Sequence, residues 1–240
     1  MRTQKDWFDL GVTWYNFSEM YEKAIDAFEK VEKISLERGG NWKYDRYYRA
    51  YCEALLLADK PESAIRISQK GLQIKPNDPW LIVYQGSSNV MLGDTLAAGN
   101  NISELRSFLS GNNYSKSFEE LAVAYLYLSG KDTITAEKYS RKAYDLEPEN
   151  TARIYNLSRI LIRSGININE GLELAMKGLE RAPDDLDLLW MKGLALHKLG
   201  KHEAALLILK EVFEKRTGYS NNLEKDIKEV EQAVARQKNN

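Results

Sequence analysis

Three octapeptides that end in the same way decide the fold of this sequence: GLQIKPND at residues 71–78, AYDLEPEN at 143–150 and GLERAPDD at 178–185. Each runs from apolar residues through a proline into polar residues, a composition that ends a helix and begins a turn. A small residue lies twelve positions before each proline: Ala64 before Pro76, Ala136 before Pro148 and Gly171 before Pro183. The equal distances predict a repeated unit rather than three unrelated turns.

The repeat extends over most of the chain. Small residues at positions 24, 64, 98, 136, 171 and 205 are separated by 40, 34, 38, 35 and 34 residues. Within the units apolar residues recur at intervals of three and four, as in Leu121, Ala124, Tyr125 and Leu128, and the strict alternation of a strand is not seen. The sequence therefore predicts about six helix-turn-helix units of near-34-residue period, with insertions in the loops.

These units resemble the tetratricopeptide repeat family. The first unit carries the pattern of both helices of that family: Trp7, Leu10, Gly11 and Trp14 in the first, and Ala24 and Phe28 in the second. The last unit, LLWMKGLALHKLGKHEAALLILKEVFE at residues 188–214, is close to the family's spacing. The resemblance covers about residues 5 to 215 and weakens in the third unit after Ala98. It implies an all-α, right-handed superhelical solenoid whose first helices line a concave surface.

The predicted domain organisation is a solenoid over residues 1–218, followed by a capping helix and polar tail over residues 219–240. Its repeats are predicted at about residues 5–39, 43–78, 79–114, 115–150, 151–185 and 186–218. In the cap, Leu223, Ile227, Val230 and Val234 form one apolar stripe with charged residues elsewhere. A helix of this composition is expected to cover the last repeat and present a polar face to water.

The charge of the chain argues against nucleic acid as a partner. Lys and Arg number 34 against 35 Asp and Glu, a formal net charge of −1 without the basic excess of a phosphate-binding protein. Base recognition by a related helical solenoid, with Tyr and Arg stacking on RNA, is the least favoured alternative. Repeat positions that would read bases are mostly apolar or acidic, as Glu119, Glu120 and Asp187 show.

Insertion into a membrane is not expected either. No apolar run approaches the roughly 18 residues of a membrane span, and MRTQKDWFDLG lacks the uninterrupted apolar core of a secretory signal. The predicted location is the cytoplasm, and a periplasmic or secreted location stays open if a leader was removed.

The register of the first helices predicts the residues of a concave groove. On this register Tyr48, Tyr51 and Leu55 lie on the core face, with Cys52 at a close helix contact. Arg49 and Glu53 lie on the groove face, where they are expected to pair with each other. The full predicted groove comprises Arg49, Glu53, Trp80, Tyr84, Ser87, Tyr155, Asn156, Arg159, Arg163, Trp190 and His197.

The predicted partner is a protein or peptide with apolar anchors and a carboxylate, which Arg159 and Arg163 can bind through forked hydrogen bonds. The alternative for the helix that carries Arg159 and Arg163 is that its polar face is only solvent-exposed and binds no partner. Some family members grip a C-terminal carboxylate with a two-carboxylate clamp. Asn156 fits one place in it, but Asp187 and Met191 stand where a basic pair belongs, which disfavours chaperone-tail binding.

A second hypothesis is self-assembly through the first repeat, either with another copy or with a missing domain of a longer chain. Phe8, Val12 and Tyr15 form a second apolar stripe on the first helix, beside the core stripe. A helix that is apolar on more than one face requires a partner. The sequence thus predicts possible homo-oligomers that form through the N-terminal repeat.

The sequence predicts no enzyme, cofactor or metal. His197 and His202, the two histidines, are five residues apart, which places them on different helix faces or across the turn at Gly200. That is not the four-residue spacing of a helical zinc pair. Cys52, the single cysteine, is predicted to be an inert buried thiol. The catalytic, cofactor and metal sites are therefore all predicted to be absent.

Overall fold

The computed structural model describes residues 3–16, 20–37, 45–216 and 221–238, and within them it contains thirteen α-helices and no strand. In chain order these are α1 Gln4–Asn16, α2 Tyr21–Glu37, α3 Asp45–Leu57, α4 Pro61–Ile74, α5 Pro79–Met91, α6 Thr95–Gly111, α7 Lys116–Ser129, α8 Thr133–Leu146, α9 Thr151–Ser164, α10 Ile168–Arg181, α11 Leu186–Lys198, α12 His202–Lys215 and α13 Asn221–Lys238. The predicted all-α helical-repeat fold is confirmed.

The chain forms two compact units, Met1–Ala136 and Glu137–Asn240. In each unit a helix packs against the one that follows it across a short turn, as α1 does against α2 and α11 against α12. The boundaries predicted for the individual repeats stay predictions. No helix in the described part of the chain is both long enough and apolar enough to span a membrane.

The proline-containing turns start the next helix through a capping side chain. Asp78 accepts hydrogen bonds from the backbone N–H groups of Trp80 and Leu81, at 3.1 and 3.3 Å, and thereby caps α5. Asp185 caps α11 in the same way, at 3.0 Å from the N–H groups of Asp187 and Leu188. These caps satisfy backbone donors that have no partner inside the helix. The recurring phrase therefore fixes where α5 and α11 begin, and Asn150, which ends the remaining copy of it, caps α9.

The core of the first unit is aromatic. The Phe28 ring packs against Tyr51 at 5.3 Å and Tyr47 at 5.9 Å between centroids, and Phe8 lies 6.4 Å from Tyr47. The hydroxyl of Tyr47 donates to the carbonyl oxygen of Phe28 at 3.1 Å, so its buried polar group is satisfied. Burial raises the pKa of the Tyr47 and Tyr51 phenols, and that of Tyr48 to about 12. The prediction that Tyr48 and Tyr51 face the core is confirmed.

The second unit has an aliphatic core with close helix contacts. Ile154, Leu157 and Leu161 of α9 are fully buried. A Cβ added at Gly193 would lie 2.7 Å from Leu209 of α12, so only a residue without a side chain allows α11 and α12 to approach this closely. Ser158, on α9, donates to the carbonyl oxygen of Gly171 on α10 at 2.8 Å.

The C-terminal helix α13 packs against α11 and α12. Leu223 and Val230 have no exposed surface, while Ile227 and Val234 are partly buried against the same core. The predicted apolar stripe thus covers the last helix pair. One polar residue of α13, Asp226, is also buried, and this burial was not predicted.

Candidate partner-binding surfaces

An aromatic surface lies on the first helices of the first unit. Trp80 is the second residue of α5 and is 42% exposed, which makes its indole accessible to a partner. Its ring centroid lies 6.4 Å from that of Tyr84 and 6.2 Å from that of Tyr125 on α7. We call these three residues the Trp80 surface, of which Tyr84 is buried and Tyr125 is partly buried. Tyr125 was not among the predicted groove residues, although it belongs to the apolar periodicity of α7.

The supports of this surface are buried ion pairs and hydrogen bonds. Arg49 reaches Asp78 with Nη2 at 2.5 Å and Nε at 3.1 Å, and the Asp78 side chain is 1% exposed. Glu53 accepts a hydrogen bond from the hydroxyl of Tyr84 at 3.1 Å. The expected Arg49–Glu53 pair is thus replaced by two longer-range contacts, because Asp78 at the start of α5 and Tyr84 within α5 both approach α3. Arg49 and Glu53 hold α5 in place.

Ser87 is buried, although the register put it on the groove. Its hydroxyl oxygen lies 2.8 Å from the carbonyl oxygens of both Val83 and Leu126. The second of these carbonyls belongs to α7, so Ser87 joins two first helices rather than facing a ligand. Asn156 of the second unit is similar, being 5% exposed with its amide nitrogen 2.7 Å from the carbonyl oxygen of Ala152.

A cationic and aromatic cluster occupies the second unit. The Trp190 indole is 7% exposed and donates from Nε1 to the Asp226 carboxylate at 2.8 Å. Arg163 binds the same carboxylate oxygen at 3.0 Å. The guanidinium carbons of Arg163 and Arg216 lie 5.0 and 5.5 Å from the centroid of the Trp190 ring. We call these four residues the Asp226 cluster. Its carboxylate comes from α13 of the same chain.

Two predicted groove residues of α9 lie beside this cluster in the same unit. Tyr155 is partly buried, and the Arg159 guanidinium carbon lies 5.9 Å from the centroid of its ring. This distance is within the range of a cation–π contact. Arg159 is partly exposed and carries a permanent positive charge. It stays a predicted contact for a partner's carboxylate.

The two histidines meet across the turn at Gly200. Their Nδ1 atoms are 2.9 Å apart and their ring centroids 4.8 Å apart. Desolvation lowers the pKa of His197, and the neighbouring His202 lowers it further. Within the described residues, no group of three or more His, Cys, Asp or Glu side chains is arranged to hold a metal ion.

Cys52 is fully buried, and its thiol donates to the carbonyl oxygen of Ala64 at 3.6 Å. Burial raises the pKa of this thiol well above its usual range, which disfavours the reactive thiolate. Cys52 and the two histidines therefore do not form a pair of catalytic nucleophile and general base. The prediction that the chain is not an enzyme stays a prediction.

Of the residues predicted for self-association, Phe8 is buried rather than presented on a second face. Phe8 is 6% exposed and packs in the core against Phe28 and Tyr47, because α3 of the next repeat covers it. Val12 is partly buried against the same core, and the side chain of Tyr15 lies outside the described residues. Self-association through this repeat stays a prediction.

Comparison with known proteins identifies the repeat. Residues 186–214 match the family model described as Tetratricopeptide repeat, which covers α11 and most of α12. The predicted resemblance to this family is confirmed, and with it the class of helical repeat that commonly forms protein-interaction scaffolds. Among curated proteins, none matches the chain in sequence.

Solved structures with a similar arrangement of helices are distant in sequence. A thermophilic tetratricopeptide repeat protein of Thermus thermophilus is 20% identical, covering 81% of this chain and 99% of its own, with a TM-score of 0.49. A tetratricopeptide repeat protein from Parabacteroides merdae is 14% identical, covering 97% and 88%, also with a TM-score of 0.49. YrrB, described as having an unusual peptide-binding site, is 15% identical over 79% and 92%, with a TM-score of 0.42.

Proposed function

We propose that this tetratricopeptide repeat chain is a non-catalytic scaffold that binds a peptide segment of a partner protein on the Trp80 surface. The observation that supports it is the exposure of an indole held between two tyrosines on first helices. Trp and Tyr dominate the energetically important positions of protein interfaces. The peptide is expected to place an apolar or proline side chain against Trp80, as aromatic-lined grooves commonly accept.

The Trp80 surface is prepared for binding before a partner arrives. Asp78 caps α5 directly before Trp80 and is held by Arg49, and Tyr84 is held by Glu53. Because these contacts fix the helix and one of the rings, little side-chain freedom remains to be lost on binding. In the second unit, Arg159 is the proposed contact for a partner's carboxylate, because this residue is partly exposed and its guanidinium is permanently charged.

A peptide selection tests this proposal. A phage-displayed library of random peptides is selected on the wild-type chain, and enriched peptides are titrated against Trp80→Ala by fluorescence anisotropy. We expect Trp80→Ala to weaken binding by about ten-fold or more, the loss typical of a hot-spot residue. The matched control is Leu96→Ala, which removes a side chain that is 77% exposed on the second helix α6.

The outcomes separate the proposal from its alternatives. Equal affinity for the wild type and Trp80→Ala, with helical content retained, contradicts the Trp80 surface as the site. A library that yields no enriched peptide contradicts peptide binding altogether. If sedimentation then shows concentration-dependent dimers, self-assembly becomes the better explanation.

A further inference from the structure

We propose that the face of α11 and α12 under α13, together with Arg163 of α9, is a second binding site, for an amphipathic helix of a partner protein that carries an aspartate between aliphatic residues. In this proposal α13 is an intramolecular occupant that such a helix can replace. The site lies in the second unit and does not depend on the Trp80 surface. The Asp226 cluster forms the polar part of this site.

The groups that receive the Asp226 carboxylate lie outside α13. Trp190 Nε1 on α11 and Arg163 on α9 both donate to this oxygen, and the Arg216 guanidinium, which follows α12, lies over the Trp190 ring. Without a carboxylate, the Arg163 guanidinium and the buried indole N–H would lose their shared acceptor, whereas Arg216 would keep its ion pair with Asp187 at 3.1 Å. Because an unpaired buried donor is unfavourable, the cluster selects for an acidic side chain.

The surface that α13 covers also accepts apolar side chains on either side of the Asp226 carboxylate. Leu223 lies three residues before Asp226 and Val230 four residues after it, and both are fully buried against the core of α11 and α12. Residues at spacings of three and four lie on one helix face. The recognition pattern is therefore an aliphatic residue, an aspartate three positions later and a second aliphatic residue four positions after that.

The helix α13 does not completely fill the proposed site. A cavity of about 350 Å³ lies beside Asp226. It is lined by Arg163, Leu194, His197 and Lys198 on one side and by Asn222, Lys225, Asp226 and Glu229 of α13 on the other. This pocket is partly open to solvent, and most of its lining side chains are charged or polar. A partner helix whose side chains at the places of Asn222 and Lys225 reach into the pocket would gain contacts that α13 does not make.

The ion pair at the far end of α13 adds little to its hold on the unit. The Lys210–Glu231 pair joins it to α12 at 2.8 Å, but the two side chains are 52% and 45% exposed. Exposed ion pairs of this kind contribute only tenths of a kcal/mol. The buried Asp226 and the apolar contacts of α13 therefore decide whether it stays in place, and those contacts are made by Leu223, Ile227, Val230 and Val234.

The test uses the full chain and a fluorescein-labelled peptide with the sequence of residues 221–238. A tethered helix competes at an effective concentration near the millimolar range, so the wild type should bind the free peptide weakly. We expect Leu223→Asp, which removes an anchor of α13 and leaves α9 and α11 unchanged, to bind the peptide at least ten-fold more tightly in anisotropy titrations. The matched control is Gln232→Ala, on the exposed face of α13, which should behave like the wild type.

Two further arms define the chemistry. A peptide carrying Asp226→Lys should lose binding to the Leu223→Asp chain, and equal binding of both peptides would overturn the role of the carboxylate. Equal weak binding of the wild-type peptide to the wild type and to Leu223→Asp would overturn the site itself. A concentration-dependent dimer of the wild type would overturn the partner helix in favour of exchange of α13 between copies.

Hydrogen exchange of the unmodified chain keeps the proposal falsifiable if Leu223→Asp does not fold. A replaceable α13 must open locally, so its amides should exchange faster than those of α11 and α12. Equal protection of the three helices would show that α13 opens only with the whole unit, which would overturn the proposal.

Discussion

Trp80 and Trp190 both lie on first helices, α5 and α11, that begin at an aspartate cap, but their surroundings are opposite. Trp80 is 42% exposed between two tyrosines, whereas Trp190 is 7% exposed between two arginines and bound to Asp226. The two residues occupy different positions in their helices, since Trp80 lies two residues after its capping aspartate and Trp190 five residues after its own. In addition, α13 supplies the carboxylate that accepts a hydrogen bond from the Trp190 indole. A tryptophan on a first helix can therefore belong to a surface in one unit and to a core in the other.

Removal of each indole gives the largest expected contrast. Trp190→Ala should destabilise the second unit by about 3 to 5 kcal/mol, since it deletes a buried aromatic side chain and the N–H that binds Asp226. Trp80→Ala should change the free energy of unfolding by less than about 1 kcal/mol, because the indole is half in solvent. Urea unfolding followed by circular dichroism measures both. Similar losses in the two variants would show that the two tryptophans are equally structural.

The close approaches at Gly86 and Gly193 should be alike in the two units. A Cβ at Gly86 would meet Leu126, and one at Gly193 would meet Leu209. Valine at either position should destabilise the chain by about 1 to 3 kcal/mol, because the neighbouring helices have no space to accept it. Thermal unfolding checks this, and a neutral result at either glycine would show that its helix contact can relax.

The two aspartate caps should differ by a smaller amount. Asp185→Ala removes a helix cap, for an expected loss of about 1 kcal/mol. Asp78→Ala removes the equivalent cap and also the partner of Arg49, whose side chain is 30% exposed. We expect it to be more destabilising by about 1 kcal/mol, a value reduced by the access of water to Arg49. Pairing each change with Arg49→Met in a double-mutant cycle should show coupling for Asp78 alone.

The smallest expected effect is the pH dependence of the second unit. The pKa of His197 is lowered by burial, by His202 and by Lys198, against the opposing charges of Glu229 and Asp226. Because the pKa of His197 is lower in the folded state, the unfolded state binds the proton more readily. The contribution of neutral His197 to the free energy of unfolding is therefore fully present above the unfolded pKa of 6.5 and is lost as the pH falls below it. Between about pH 7.5 and about pH 5.5, the wild type should lose more stability than His197→Gln. Parallel losses would exclude His197 as the cause.

The sequence was sufficient for the helices and the repeat class because both depend on local patterns. The spacing of small residues and prolines predicted the helix pairs, and the apolar stripe of Leu223 and Val230 predicted the cap. The exposure of groove residues was less predictable. Repeat register gives the face on which Arg163 lies, but it contains no information about a carboxylate 63 residues later in the chain.

The burial of Cys52 was predicted from the sequence, and it allows an experiment on the opening of the first unit. It is the single cysteine of the chain, it lies between α3 and α4 with its thiol on the Ala64 carbonyl, and burial raises its pKa. A thiol reagent can modify it only when these helices separate. The rate at which the reagent labels Cys52 therefore reports how often the first unit opens, and no cysteine has to be introduced for the measurement.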